Sequence, residues 1–171
     1  MTVFEPTPDE WSRLDYRLLR DQPVTLYYSR SQLEDDLGWF NKQGYKAFRF
    51  VASGWSTLDD FHHEVATALQ FPDYYGRNLD AFNDCLSDMD IGATGGTLLV
   101  FVGFEKFAAL FPREAWAILD IIAHQSRRAL LHGRRLVALV QTNDPHATFD
   151  PVGAMAVGWN PREWSMKDRG L

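Results

Sequence analysis

The run Gly95-Gly96-Thr97-Leu98-Leu99-Val100-Phe101-Val102-Gly103 restricts the possible folds of this chain more than any other stretch. Its unbroken apolar core, Leu98 to Val102, is as long as any in the sequence, and the run is closed by glycine at both ends. An apolar run that does not alternate with polar residues belongs to a strand covered on both faces, the usual situation in a parallel sheet. It is strand-sized, far below the roughly 20 residues a helix needs to cross a bilayer. Parallel strands require long crossovers, so helices must lie between them.

The rest of the chain supplies those helices and further strands. Tyr45 to Val51 alternates Tyr, Ala, Arg and Val with Lys, Phe and Phe between Gly44 and Gly54, and reads as a strand. Ser56 or Thr57 offers an N-cap to a helix with Leu58, Phe61, Val65, Ala68 and Leu69 on one face, ended by Pro72. Pro112 to His132 is a long helix with proline in its first turn and Gly133 at its end, followed by a buried strand from Leu136 to Val140. Upstream, Val24 to Tyr28 is a strand, and Ser31 with Glu34 forms a capping-box signature for a short helix toward Phe40, stopped by Gly44. Residues 1–22 show no periodicity beyond Trp11, Leu14 and Leu18 and are expected to be a tail with one helical turn. From Thr142 onward, prolines at 145, 151 and 161 imply irregular chain, with Trp159 and Trp164 as expected anchors to the body.

These elements predict one α/β domain: a three-layer arrangement with a small parallel sheet flanked by helices. The absence of a basic region followed by a long apolar stretch after Met1 leads to the expectation of a soluble, cytoplasmic chain with no membrane partner. A net charge of −6 argues against direct nucleic-acid binding, which needs a dominant basic face, and favours a basic partner. The single cysteine, Cys85, excludes an internal disulfide and reads as a small buried apolar residue.

The chemistry of the chain concentrates in Phe71-Pro72-Asp73-Tyr74-Tyr75-Gly76-Arg77-Asn78-Leu79-Asp80-Ala81-Phe82-Asn83-Asp84-Cys85-Leu86. Asn78 is the N-cap candidate of a helix whose Leu79, Phe82, Cys85, Leu86 and Met89 share one side. Asp80, Asp84 and Asp88 form a stripe on the other side, with Asn83 and Ser87 beside it. The helix dipole accounts for Asp80 in the first turn. It does not account for Asp84 and Asp88, and each i,i+4 like-charge pair costs about 0.2–0.5 kcal/mol. A solvated helix face is the plain alternative, but residues 73–90 hold five aspartates against Arg77 alone, a patch suited to a cationic surface. Tyr74 and Tyr75 stand beside it, and one of the two is expected to pack inward while the other offers contact area.

This segment resembles the signature of the barstar family, intracellular inhibitors of the ribonuclease barnase, and a weaker resemblance extends over residues 45–141. The resemblance implies an inhibitor rather than an enzyme, with no catalytic residues, metal or cofactor. It also implies a 1:1 complex with a small basic ribonuclease or ribonuclease toxin domain, in an immunity or antitoxin role. The helix and preceding loop would plug the nuclease active site. On that basis Asp84 stands in for the substrate phosphate, Asp80 pairs with basic groups, Tyr74 packs on a catalytic histidine, and backbone near Gly76 and Asn78 adds hydrogen bonds. The expected partner-binding set is Tyr74, Gly76, Asn78, Asp80, Asn83, Asp84, Ser87 and Asp88. Residues 23–44 would be an added strand-helix unit and 142–171 an extension packed on the domain. Three positions depart from the family: Asn83 replaces a tryptophan, Arg77 an acid, and Ser126-Arg127-Arg128 falls where the family has a further acidic contact.

Two other readings fit the same residues. A Mg²⁺ enzyme using Asp80 and Asp84 lacks a glycine-rich phosphate loop, and His62-His63-Glu64 lacks the second histidine of a helical zinc motif, Thr67 standing in its place. An interaction module of barstar fold with a non-nuclease partner is the alternative that the added ends support.

Overall fold

The computed structural model describes residues 3–92 and 95–171. Five strands form one sheet: β1 (Val24–Tyr27), β2 (Tyr45–Val51), β3 (Gly96–Val102), β4 (Leu136–Gln141) and β5 (Gly158–Trp159). Their order is β2-β3-β4-β1-β5 and every pairing is parallel. The apolar run is β3, in the interior of the sheet and buried at all seven positions. Alternation decides which layer each side chain joins. Leu99 and Phe101 pack with Phe50, Phe61, Phe82 and Ile122 on one face, while Leu98, Val100 and Val102 pack with Leu33, Phe40 and Leu139 on the other.

The first face is covered by α4 (Leu58–Ala68), α5 (Leu79–Asp88), α6 (Glu105–Leu110) and α7 (Pro112–Leu131). The second lies under α2 (Leu14–Asp21) and α3 (Arg30–Lys42), preceded by the short α1 (Pro8–Ser12). The result is a three-layer α/β/α fold. β1 pairs with β4, with Leu26 opposite Val140, so residues 23–44 add a fourth strand beside β4, between it and β5, and a helix to the second face of the sheet. Gly96 is forced to be glycine: at φ 154° a Cβ would sit 2.6 Å from the Tyr45 ring.

Several local expectations need correction. Residues 1 and 2 of the stretch expected as a tail lie outside the described residues, but the rest forms α1 and α2, and α2 buries Leu18, Leu19 and Asp15. The reason is long-range: the Asp15 carboxylate accepts from the Tyr45 hydroxyl at 2.6 Å and from Arg13 at 2.8 and 3.0 Å, contacts no local pattern reveals. α3 is capped by Ser29, whose side chain accepts from the Gln32 N–H, rather than by Ser31; Glu34 instead pairs with Arg49 at 2.6 Å. α4 stops at Ala68, before Pro72, because Gln70 takes a left-handed φ of 55°. Its cap is Thr57, in a reciprocal capping box with Asp60. α6 and β5 had no counterpart in the sequence pattern.

The C-terminal residues return to the sheet. Glu163, fully buried, accepts hydrogen bonds from the Tyr28 and Ser29 N–H groups at 2.7 and 2.6 Å, just past the end of β1. Arg169 stacks 4.4 Å from the Trp159 ring and donates to the carbonyls of Glu163 and Trp164. Trp159 therefore anchors this segment, but Trp164 is 78% exposed and does not.

Candidate functional site

The loop from Phe71 and α5 lie on the first face, beside the β2 edge of the sheet. Asn78, in extended conformation, accepts from the Ala81 N–H at 2.8 Å and so starts α5, while its amide donates to the Gly76 carbonyl at 3.2 Å. A Cβ on Gly76 would come within 3.1 Å of that amide, so a larger residue there would make the Asn78 side chain shift by a few tenths of an ångström. Arg77 between them adopts φ 49°, a left-handed conformation that a non-glycine residue takes only under constraint. The Pro72 carbonyl accepts from the Tyr75 N–H and closes the turn upstream.

Phe82 and Leu86 are fully buried, which fixes the rotation of α5. Asp80, Asp84 and Asp88 then all face solvent. The two tyrosines divide the work. Tyr75 packs on Phe71 and its hydroxyl meets His62 Nδ1, while Tyr74 is 85% exposed. Burial pushes the Tyr75 hydroxyl well above its usual range, so it stays protonated as the donor, and burial lowers the His62 imidazole, so it is held as the neutral acceptor.

No described lysine, arginine or histidine forms an ion pair with Asp73, Asp80, Asp84 or Asp88. Arg77 is turned onto Asp59, at 2.8 and 3.0 Å, and Asp90 is taken by Arg134 at 3.2 Å. Ser87 donates to the Asp84 carbonyl at 2.8 Å, a bond within the helix. Asn83 is half-buried and accepts from Gln125 of α7 at 2.8 Å, so its side chain braces α5 instead of pointing outward. Thus Tyr74, Asp80 and Asp84 present exposed side chains without a side-chain hydrogen bond among the described residues, and Asp88 accepts only a long bond from the Ser87 hydroxyl at 3.4 Å; Gly76 and Asn78 build the turn; Asn83 and Ser87 are engaged within the chain.

A cleft of about 380 Å³ opens between α5 and β2, with Tyr74, Asp84 and Asp88 alongside Lys46, Phe48 and Met89. Lys46 and Phe48 were not among the expected site residues, yet the alternation of β2 already put them on the same face as Phe50. Cys85 also borders the cleft. Burial, followed by the charges of Asp88 and Asp84, raises its thiol, so it remains a neutral side chain and a poor nucleophile. The arrangement is a convex carboxylate stripe beside an exposed aromatic ring and a partly apolar groove. Chemically, it can receive guanidinium, ammonium or imidazolium groups of another molecule.

The chain is similar to known proteins. A Bacillus subtilis (strain 168) protein named "Putative ribonuclease inhibitor YrdF" is 38% identical over 66 residues, which cover 38% of this chain and 68% of that protein. The family model described as "Barstar (barnase inhibitor)" matches residues 45–141, more than half of the chain, from the first residue of β2 to the last of β4. The chain belongs to the barstar family.

Proposed function

We propose that this protein is a non-enzymatic inhibitor that binds a basic ribonuclease, or a ribonuclease toxin domain, one to one and blocks its active site with α5 and the loop before it. Asp84, central in the stripe, occupies the place of a substrate phosphate among the nuclease's cations, Asp80 and Asp88 extend the anionic face, and Tyr74 covers the catalytic base. Gly76 and Asn78 keep the turn tight enough for backbone groups to reach the partner. The setting is the cytoplasm, with the protein acting as an immunity or antitoxin factor; among the described residues no helix is long and apolar enough to cross a membrane.

The observation that supports this reading most is the availability of the charge. Three carboxylates repel one another along α5 and none forms an ion pair with a cation among the described residues, so their relief is reserved for a partner. Calorimetric titration against purified small basic ribonucleases, at low and high salt, tests it: binding that weakens steeply with salt is expected, and no binding to any of them contradicts it.

A second reading, a non-nuclease partner, draws on Trp164 and Met166, exposed at 78% and 61%. It predicts that serine at both positions abolishes capture of the partner while Asp84→Ala leaves it intact.

A further inference from the structure

The surface that carries the acidic stripe continues across Ser87 onto α7, and there its sign reverses. A pocket of about 320 Å³ is lined by Arg128, His132 and Arg134 together with Ser87, Met89 and Gln125. It adjoins the stripe directly: Gln125 donates to Asn83, the neighbour of Asp84, and Ser87 donates to the Asp84 carbonyl. Arg134 is offset by Asp90, but Arg128 is exposed and forms no hydrogen bond or ion pair with any described residue. The dipole of α7 accounts for one cation in its last turn. It does not account for a second guanidinium, that of Arg134, lining the same pocket beside the His132 ring after the helix has ended.

We infer that the recognition surface is two-signed, and that its partner is a ribonuclease with a carboxylate on the rim of its cationic cleft, which enters the Arg128–His132–Arg134 pocket while the cleft takes the aspartates. This inference rests on the proposed function and narrows it to a class of nuclease. An arginine with unused donors pairs a carboxylate in a fixed, bidentate geometry. A nuclease whose rim is basic throughout meets Arg128 as a like charge instead, so the pocket selects against it.

The sign of a charge reversal separates the two cases. Arg128→Glu replaces a positive charge by a negative one, taking the chain from −6 to −8 and strengthening its long-range attraction for any cationic nuclease. A partner without a rim carboxylate is therefore bound more tightly by the variant, and a partner with one is bound less tightly in spite of the added attraction.

The probes are a panel of purified small basic bacterial ribonucleases, and the tightest binder of the unaltered chain is the reference. With it, Asp84→Ala is expected to weaken binding about 30-fold or more, Arg128→Gln several-fold and Arg128→Glu about 10-fold or more. Lysine at the nuclease's rim carboxylate should restore binding to Arg128→Glu. Unchanged melting midpoints show that the variants are folded. If Asp84→Ala weakens binding while Arg128→Glu leaves it unchanged or tightens it, the two-signed surface is wrong and the inhibitor site stands. If Asp84→Ala has no effect, or no nuclease of the panel binds, the proposed function falls and this inference with it.

Discussion

Arg77 holds Asp59 across the turn that precedes α5, with Nη1 2.8 Å from Oδ1 and 3.0 Å from Oδ2, and so leaves Asp80 without a cation three residues away. The left-handed φ of Arg77 directs its side chain toward α4 rather than along the acidic face. Its ion pair is about half exposed on both sides, so Arg77→Ala is expected to change stability by less than about 1 kcal/mol. Association with a cationic nuclease should quicken, because the chain becomes more negative without losing a contact of the stripe. Denaturant melts and stopped-flow association check both parts; slower association would mean that Arg77 itself touches the partner.

Asp84 sits between Asp80 and Asp88 at helical spacing, exposed and with no cation bound. Asp84→Ala removes two like-charge pairs and introduces the best helix former, so stability should stay constant or rise by up to about 1 kcal/mol. Urea unfolding measures it. A loss of stability would assign the carboxylate a structural role.

His62 is 5% exposed. Burial, opposed by Asp59 and reinforced by Arg77, keeps its imidazole below the ordinary value. The unfolded chain therefore takes up this proton first, near about pH 6.5, and the folded protein only at lower pH. Between those values the unfolded state binds more protons, so stability declines as pH falls through the window and the loss is complete below the folded value. His62→Gln should flatten this part of a stability profile recorded from pH 8 to pH 5; an unchanged slope would remove His62 as its source. Tyr75→Phe takes away the partner of His62 Nδ1 and should cost about 1–3 kcal/mol near neutral pH.

Glu163 carries two backbone N–H groups at the junction of β1 and α3 and also accepts from Asn160 at 2.6 Å, all away from solvent. Glu163→Ala should destabilise the fold by about 3 kcal/mol or more, and Glu163→Gln by less, since the amide oxygen still accepts. Thermal and urea melts distinguish the pair; equal losses would show that charge matters more than hydrogen bonding.

What the sequence reveals follows the range of the forces involved. β2 has the expected bounds, Asn78 caps α5, and Gly133 lies just past α7 with φ 71°, because alternation, capping and chirality are local. α2 escapes local patterning because its place depends on Asp15 meeting Tyr45, thirty residues away. β5 is two residues long and is held through Gln22 donating to the Gly158 carbonyl, across 136 positions. At the site, the exposure of the aspartates was readable from the helical wheel. The inward turn of Asn83 was not, since it depends on Gln125 in a helix that only the folded sheet brings alongside.

The claim at the centre is that Asp84 acts as a phosphate substitute inside a nuclease active site. Hot-spot truncations cost about 2 kcal/mol or more, roughly 30-fold in affinity, and among the largest such losses is one in the barnase–barstar pair of this same family. The direct measurement is RNA cleavage by a bound basic ribonuclease, titrated with the unaltered protein and with Asp84→Ala at low salt. The account predicts suppression complete at one equivalent of the unaltered protein and an inhibition curve displaced by at least about 30-fold for the variant. Equal suppression by both, or none by either, would contradict it.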